Sequence, residues 1–511
     1  MLMPIYKGEG TTTGERELAK IADLSFFGLW SYPSIHRKMV KGGNTLRHEV
    51  ADLIVVFGKD VIIFSEKDIK FPDTEDIKIT WGRWFRQSVI ESIGQLRGAE
   101  RYVKSRDSAL FLDARCTQPF PFALDASDLK IHLVAICRNS SKPAKSYFNQ
   151  FTEKDVSGSS GSLLFFAPIR EKEMVSNPFH VGDFDPEKTF VHVFDEDSLS
   201  LLLTELDAGP DFIHYLDTRE QAVRKKRLSV FYGEEDFLAV YLSNIRETGF
   251  GAYQTDNPLS TGSDEDLHII EEGMWLAFRA TYSYAVHSAQ RKDSGNWKSL
   301  TNDFSQAILT ATVGEALDES LDSHERAVRA MASENRVSRA ILGHALIEKY
   351  NTVPTNVRSA RVITSLSNPE RLYIFLLFPL IDAHGTYDNY RVERTACMQM
   401  YVRAAQLKFS SYSEIVVLGA DTKGSGGSSE TILVAEGAPN MSDLEKAEIQ
   451  AMMDEYNVLT DISPARPSGY QSGLPKASIF DGTLPLGEKI PGVNEPCFCG
   501  SGRKYKKCCR P

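Results

Sequence analysis

No apolar run in this 511-residue chain is long enough to cross a bilayer; the longest, Tyr373 to Ile381, is interrupted by Pro379. A membrane-spanning role is therefore not expected. There is no G-x-x-x-x-G-K-[ST] phosphate loop, which argues against a P-loop motor. The glycine-rich stretch Gly424 to Ser429 lacks the lysine that would reach a phosphate and reads as a loop between strands. Met1 to Gly10 is polar, carries Lys7 and Glu9, and offers no basic-then-apolar leader. Positive charge is in deficit: Lys and Arg number 58 against 69 Asp and Glu, a net charge of −11. That balance opposes indiscriminate binding to nucleic acid but leaves room for a local basic groove. Of the two short basic runs, Arg224 to Arg227 reads as a solvated face. Outside the C-terminus cysteine is scarce. Cys116, Cys137 and Cys397 are scattered, as buried thiols of reduced proteins are, so a cytoplasmic location is expected.

The chain does have cysteine at its end. Four of its seven cysteines stand as Cys497-x-Cys499 and Cys508-Cys509. Two close pairs in a chain that reads as cytosolic predict four thiolates around one tetrahedral zinc. Gly500 and Gly502 let the backbone turn between the pairs, and no apolar core is at hand to fold this segment without metal. With Pro496, Gly-Ser-Gly and the Lys-Tyr-Lys-Lys run, the tail resembles the SEC-C motif. That motif is the zinc-binding tail of the bacterial preprotein translocase ATPase and recurs as an appendage on unrelated bacterial proteins. The resemblance covers about twenty residues and implies a module that docks a protein partner. The five basic residues between Arg503 and Arg510 suit an acidic one.

Chemistry in the N-terminal third starts with Thr12-x-x-Glu15, a capping box that occupies Glu15 and leaves Glu17 free inside the helix. An aromatic stretch, Phe26 to Tyr32, ends at Pro33. Then Glu49-Val-Ala-Asp52-Leu-Ile-Val-Val-Phe57 and Val61-Ile-Ile-Phe64-Ser65-Glu66-Lys67 flank Gly58-Lys59-Asp60. Two β-branched runs about a glycine turn predict a hairpin, and their unbroken apolarity predicts that both faces are covered. If Phe57 pairs with Asp60, Asp52 falls opposite Ser65, and Lys67 joins them on one face. A carboxylate and an ammonium at the end of a covered sheet fit a hydrolytic metal site, and equally an incidental strand end.

Trp81 to Tyr102 follows as an amphipathic helix. Ile90, Ile93 and Leu96 face inward, and Gln87, Glu91 and Gln95 recur every four residues in one stripe. A further strand is expected at Ile131–Cys137. This order of helix, hairpin, helix and strand resembles the PD-(D/E)xK phosphodiesterase superfamily, the restriction-endonuclease-like fold. The resemblance implies that Asp52 and Lys67 are catalytic, that Gln95 projects from the next helix, and that Glu17 fits a glutamate sometimes supplied by the first. It also implies a catalytic Mg²⁺ or Mn²⁺ held by Asp52 and a second carboxylate, with Lys67 orienting the attacking water and Gln95 or Gln87 holding the water or the phosphate. One position departs. The acid that precedes the family's lysine by two residues is here Ser65. Glu66 points to the opposite face unless a bulge turns it inward; it is preferred as the second ligand, with Glu91 on the helix as rival and Glu17 in reserve.

Phe190 to Phe194 reads as a strand, followed by helices from Asp197 to Leu206 and towards Arg227. The chain then reads helical to about Tyr350 and mixed α/β beyond. His287, His344 and His384 stand alone and read as structural. The expected class is α/β: a restriction-endonuclease-like domain over 1–230, a helical and α/β middle over 231–460, a Pro- and Gly-rich linker over 461–490, and a zinc tail over 491–511. The expected function is metal-dependent DNA cleavage, with defence against foreign DNA as an analogy of fold. Two competitors are an inactive nuclease-like nucleic-acid-binding module and an adaptor in protein export or translation acting through the tail.

Overall fold

The computed structural model describes residues 2–41, 44–72, 76–105, 109–125, 127–151, 163–167, 169–225, 228–253, 268–313, 320–425, 429–460, 462–465 and 504. Helix α1 (Thr13–Phe26) starts where the Glu15 N–H donates to Thr12 Oγ1 at 3.1 Å. The Glu15 carboxylate accepts the Thr11 N–H at 2.6 Å, so the box closes on the residue before the cap. Leu18, Ala22 and Phe26 form its buried side.

Three antiparallel strands follow: β1 (Ser31–Lys41), β2 (Asn44–Phe57) and β3 (Asp60–Lys67). The β2–β3 register runs from Phe57↔Asp60 to Leu53↔Phe64. Gly58 takes φ +63° in the turn, a conformation that favours glycine. β1 is an addition to the expected elements: the sequence places no strand between α1 and the hairpin, only an aromatic stretch ending at Pro33. Pro33 is tolerated because the outer neighbour pairs only with His36 and Arg37, so on that side no ladder is interrupted.

Helix α2 (Ile77–Phe85) passes through a π turn, Arg86–Ile90, into α3 (Glu91–Val103). Trp81 and Trp84 anchor this unit, Trp81 donating to Met174 O at 2.7 Å and Trp84 to Ile69 O at 3.1 Å. Strands β4 (Leu110–Phe111), β5 (Lys130–Cys137), β6 (Leu164–Phe166), β7 (His180–Val181), β8 (Val191–Phe194), β9 (Leu228–Phe231) and β10 (His268–Ile270) come next. The main sheet has the order β4-β1-β2-β3-β5-β8, antiparallel through β3 and parallel from β3 to β8. α1 covers one face, where Phe26 meets Phe57 at 6.1 Å, and α3 covers the other, where Ser92 meets Ser65. A small sheet, β10-β9-β6-β7, lies beside it.

The first core does not stop at residue 230. Phe237, Leu238, Tyr241, Phe278, Ile308 and Val328, all beyond that point, belong to the same buried cluster as Leu53 and Ile63. The expected boundary therefore cuts through packed side chains. Farther on, β11 (Ser359–Thr364), β12 (Arg371–Phe378), β13 (Glu414–Asp421) and β14 (Thr431–Glu436) form a third sheet, backed by helices Tyr387–Lys408 and Asp443–Tyr456. Trp297 and Met331 bury against Tyr373 and Phe375 on its other face. The chain is thus mixed α/β with several sheets. Among the described residues no helix is long and apolar enough to cross a membrane.

A candidate active site at the open end of the hairpin

Asp52 sits where β2 emerges from the core, and its Oδ2 accepts the Glu66 N–H at 2.6 Å. Burial pushes its carboxyl above the usual range, against the pull of that N–H and of the Lys67 charge. Ser65, buried on the α3 face, donates to Gln95 Oε1 at 3.1 Å. Asp52, Ser65 and Gln95 line a pocket of about 250 Å³, together with Glu49, Arg37 and Tyr102. Lys67 ends β3 beside it, and its charge acts on both Asp52 and Glu49.

No bulge turns Glu66 inward. β3 pairs with β5 without a break from Asp60↔Lys130 to Lys67↔Cys137, so Glu66 keeps the α1 face. There it is ion-paired with Arg138, which also meets Glu17 at 3.1 Å. The carboxylate lies against the first turn of α1, where a helix favours an anion. A Cβ on Gly14 would stand 2.1 Å from Glu66 Oε1, so a larger residue there would have to push the carboxylate aside. Glu66 and Glu17 therefore share one cation on the far side of the sheet. Glu91 is exposed and stands outside the pocket lining, as does Gln87. Gln87, Glu91 and Gln95 are all exposed, as the expected polar stripe requires, but of the three only Gln95, beyond the π turn, lines the pocket.

The bulge lies in the other strand. Ile35 pairs with Ala51 but His36 pairs with Glu49, which leaves Val50 as an extra residue in β2. Ser34, beside it, takes φ +51°. Regular alternation would send Glu49 and Asp52 to opposite faces; through this irregularity both line one pocket. Much of the Glu49 side chain meets solvent, yet burial at the pocket wall, then the Asp52 and Glu15 charges, push its carboxyl up to about 7. Sequence reasoning missed Glu49, since nothing in the letters marks the bulge. It also passed over Arg37, whose guanidinium lies 4.7 Å from the Tyr102 ring centre.

Among the described residues no three His, Cys, Asp or Glu side chains gather in a metal-ligating arrangement. What the pocket does offer is two carboxylates with raised proton affinity beside an ammonium and an amide. His287, buried, meets Glu205 at 2.9 Å, and His384 bonds Ile381, consistent with structural roles. Arg224 is bound by Asp183 and Glu220. Cys116, Cys137 and Cys397 are free and buried, whereas Cys497, Cys499, Cys508 and Cys509 lie outside the described residues.

Residues 494–511 match the SEC-C motif. That motif is generally zinc-binding. The chain is also similar to the protein translocase subunit SecA of Dehalococcoides mccartyi, 46% identical over 46 residues, which are 9% of this chain and 5% of the relative. To SecA of Chlorobium phaeobacteroides it is 37% identical over 73 residues, 13% of this chain and 7% of the relative. The chain thus covers only a small fraction of the length of these relatives. No solved structure matches it.

Proposed function

We propose that this protein is a metal-dependent phosphodiesterase that cuts DNA as an endonuclease, with a zinc-holding C-terminal tail that docks a protein partner. The observation that carries the reading is the gathering of Glu49, Asp52, Gln95 and Arg37 around one pocket at the hairpin's open end, with Lys67 beside it. The element order, a helix, three antiparallel strands, a helix and a parallel strand, supports a restriction-endonuclease-like fold.

The donor set suits a hard divalent cation, which takes one or two carboxylates and keeps several waters. Asp52 and Glu49 repel each other and are partly stripped of water, and a cation between them would relieve both terms. Bound there, Mg²⁺ or Mn²⁺ would supply charge neutralisation at the phosphate and an acidified water. The protein's own groups do the rest. Lys67 orients the attacking water and offsets negative charge as it develops. Gln95, braced by Ser65, holds the water or a phosphate oxygen. Arg37 presents its guanidinium to an adjacent phosphate. Glu66 is not a ligand in this scheme, because Arg138 holds it on the other face.

A binding-only protein is the second reading, favoured by the serine at position 65. Incubating supercoiled plasmid with the full chain and Mg²⁺ or Mn²⁺ separates the two: nicked or linear product that Asp52→Asn abolishes supports the enzyme, and stable binding without product supports the binder. For the tail, the SEC-C match supports zinc held by Cys497, Cys499, Cys508 and Cys509 and a docking role, and the buried free thiols support a reducing, cytoplasmic setting.

A further inference from the structure

From His36 to His48 the sequence contains Arg37, Lys38, Lys41 and Arg47 and no Asp or Glu, in a chain whose net charge is −11. The backbone gives this stretch a shape. β3 leaves β2 at Leu53, and β4 reaches β1 only at His36 and Arg37, while β1 and β2 stay paired out to Lys41↔Asn44. Beyond the sheet they form a two-stranded ribbon, exposed along Asn44–Glu49.

Its register sets Lys38 opposite Arg47 and Arg37 opposite His48. Like charges directly opposite one another destabilise a strand pair. Among the described residues neither cation is paired with a carboxylate. Lys38 Nζ lies 4.5 Å from the Phe111 ring centre, and Arg47 Nε donates to Arg115 O at 3.0 Å. Asp113, the acid of the adjoining loop, is engaged by the N–H groups of Thr117 and Gln118. Arg37 joins the ribbon to the pocket, so the positive charge begins at the candidate site and runs outward.

We infer that this ribbon is an arm that grips duplex DNA beside the pocket, with Lys38 and Arg47 on backbone phosphates; the inference rests on the phosphodiesterase reading. Phosphates relieve the cross-strand repulsion, and counterion release drives the contact. Two strands about 4.8 Å apart enter a B-form major groove about 12 Å wide, whereas the A-form groove of RNA is too narrow. The stretch has no aromatic residue, which a membrane-seeking surface would use.

The test is fluorescence anisotropy of the full chain with a 30-base-pair duplex and its single strand, in EDTA, across a NaCl series. Lys38→Gln/Arg47→Gln should weaken duplex binding about tenfold at 100 mM salt and lower the log–log salt slope by about 2, from roughly 0.9 per phosphate contact. Its thermal midpoint should not fall below that of the wild type, since the cross-strand repulsion is gone; if it falls, Lys38→Gln alone, an exposed change, repeats the test at half the slope change. Unchanged affinity and slope, equal losses on the single strand, or equal binding to phosphatidylserine vesicles would each overturn the arm. Duplex binding by the arm with no cleavage by wild type would sink the phosphodiesterase alone, and cleavage with unaltered binding in the variant would sink the arm alone.

Discussion

The N–H of Glu66 donates to the Asp52 carboxylate at 2.6 Å while the Glu66 side chain turns to the opposite face and pairs with Arg138. One residue thus braces the candidate site through its backbone and a different part of the molecule through its carboxylate. Its side chain is a buried structural anion, placed among α1, β3 and the start of the segment after β5.

Glu66→Gln should therefore cost stability, because Arg138 would lose its close anion. A loss of about 2 kcal/mol is expected for a partly buried charged group left under-satisfied. Gly14→Ala should also cost stability, since its methyl would push the Glu66 carboxylate away from Arg138. Urea unfolding of both variants checks this, with a midpoint shift expected and an unchanged slope.

Zinc should accompany the purified chain at about one equivalent. Cys508→Ser/Cys509→Ser should lose most of it, because two thiolates cannot close a tetrahedral site. Elemental analysis reads this directly. Equal zinc in both proteins would place the metal elsewhere.

Acid should unfold the protein in part through histidines. Burial, with Arg336 adding to it, pushes His287 down to about 4, and burial does the same to His214. A folded value below the ordinary 6.5 means that the native state binds the proton more weakly. The stability these rings contribute is complete above 6.5 and lost as pH falls towards 4. Asp195 and Asp211, pushed up to about 6 by burial, act in the opposite sense over an overlapping range. The measurement is therefore a difference: thermal midpoints of wild type and His287→Gln should converge between pH 6.5 and 4.

How far the sequence reaches is clear at particular residues. The turn at Gly58 fixed the hairpin, and the pairing of Phe57 with Asp60 follows from it. Continuous apolarity in β2 and β3 foretold covered faces, since only a sheet covered on both sides buries the adjacent Ile62 and Ile63 alike. β1 was hidden because Pro33 is a breaker by local rules and harmless only where no neighbour pairs. The π turn was hidden because it is a choice of hydrogen bonding, decided by how α2 and α3 pack. The Val50 bulge was hidden for the same reason, and with it Glu49. Alternation rules assign faces to regular strands, and candidate sites at strand ends are where regularity fails.

The central claim is that the Val50 bulge supplies the second carboxylate, Glu49, in place of the missing acid at Ser65. The direct measurement is the initial rate of Mn²⁺-dependent plasmid cleavage by Glu49→Gln and by Glu66→Gln, each at a temperature where it is fully folded. Glu49→Gln should lose at least about 100-fold in rate, on the order of 2.7 kcal/mol of barrier, while Glu66→Gln stays within a few fold of wild type. Full activity in Glu49→Gln with loss in Glu66→Gln would contradict the account.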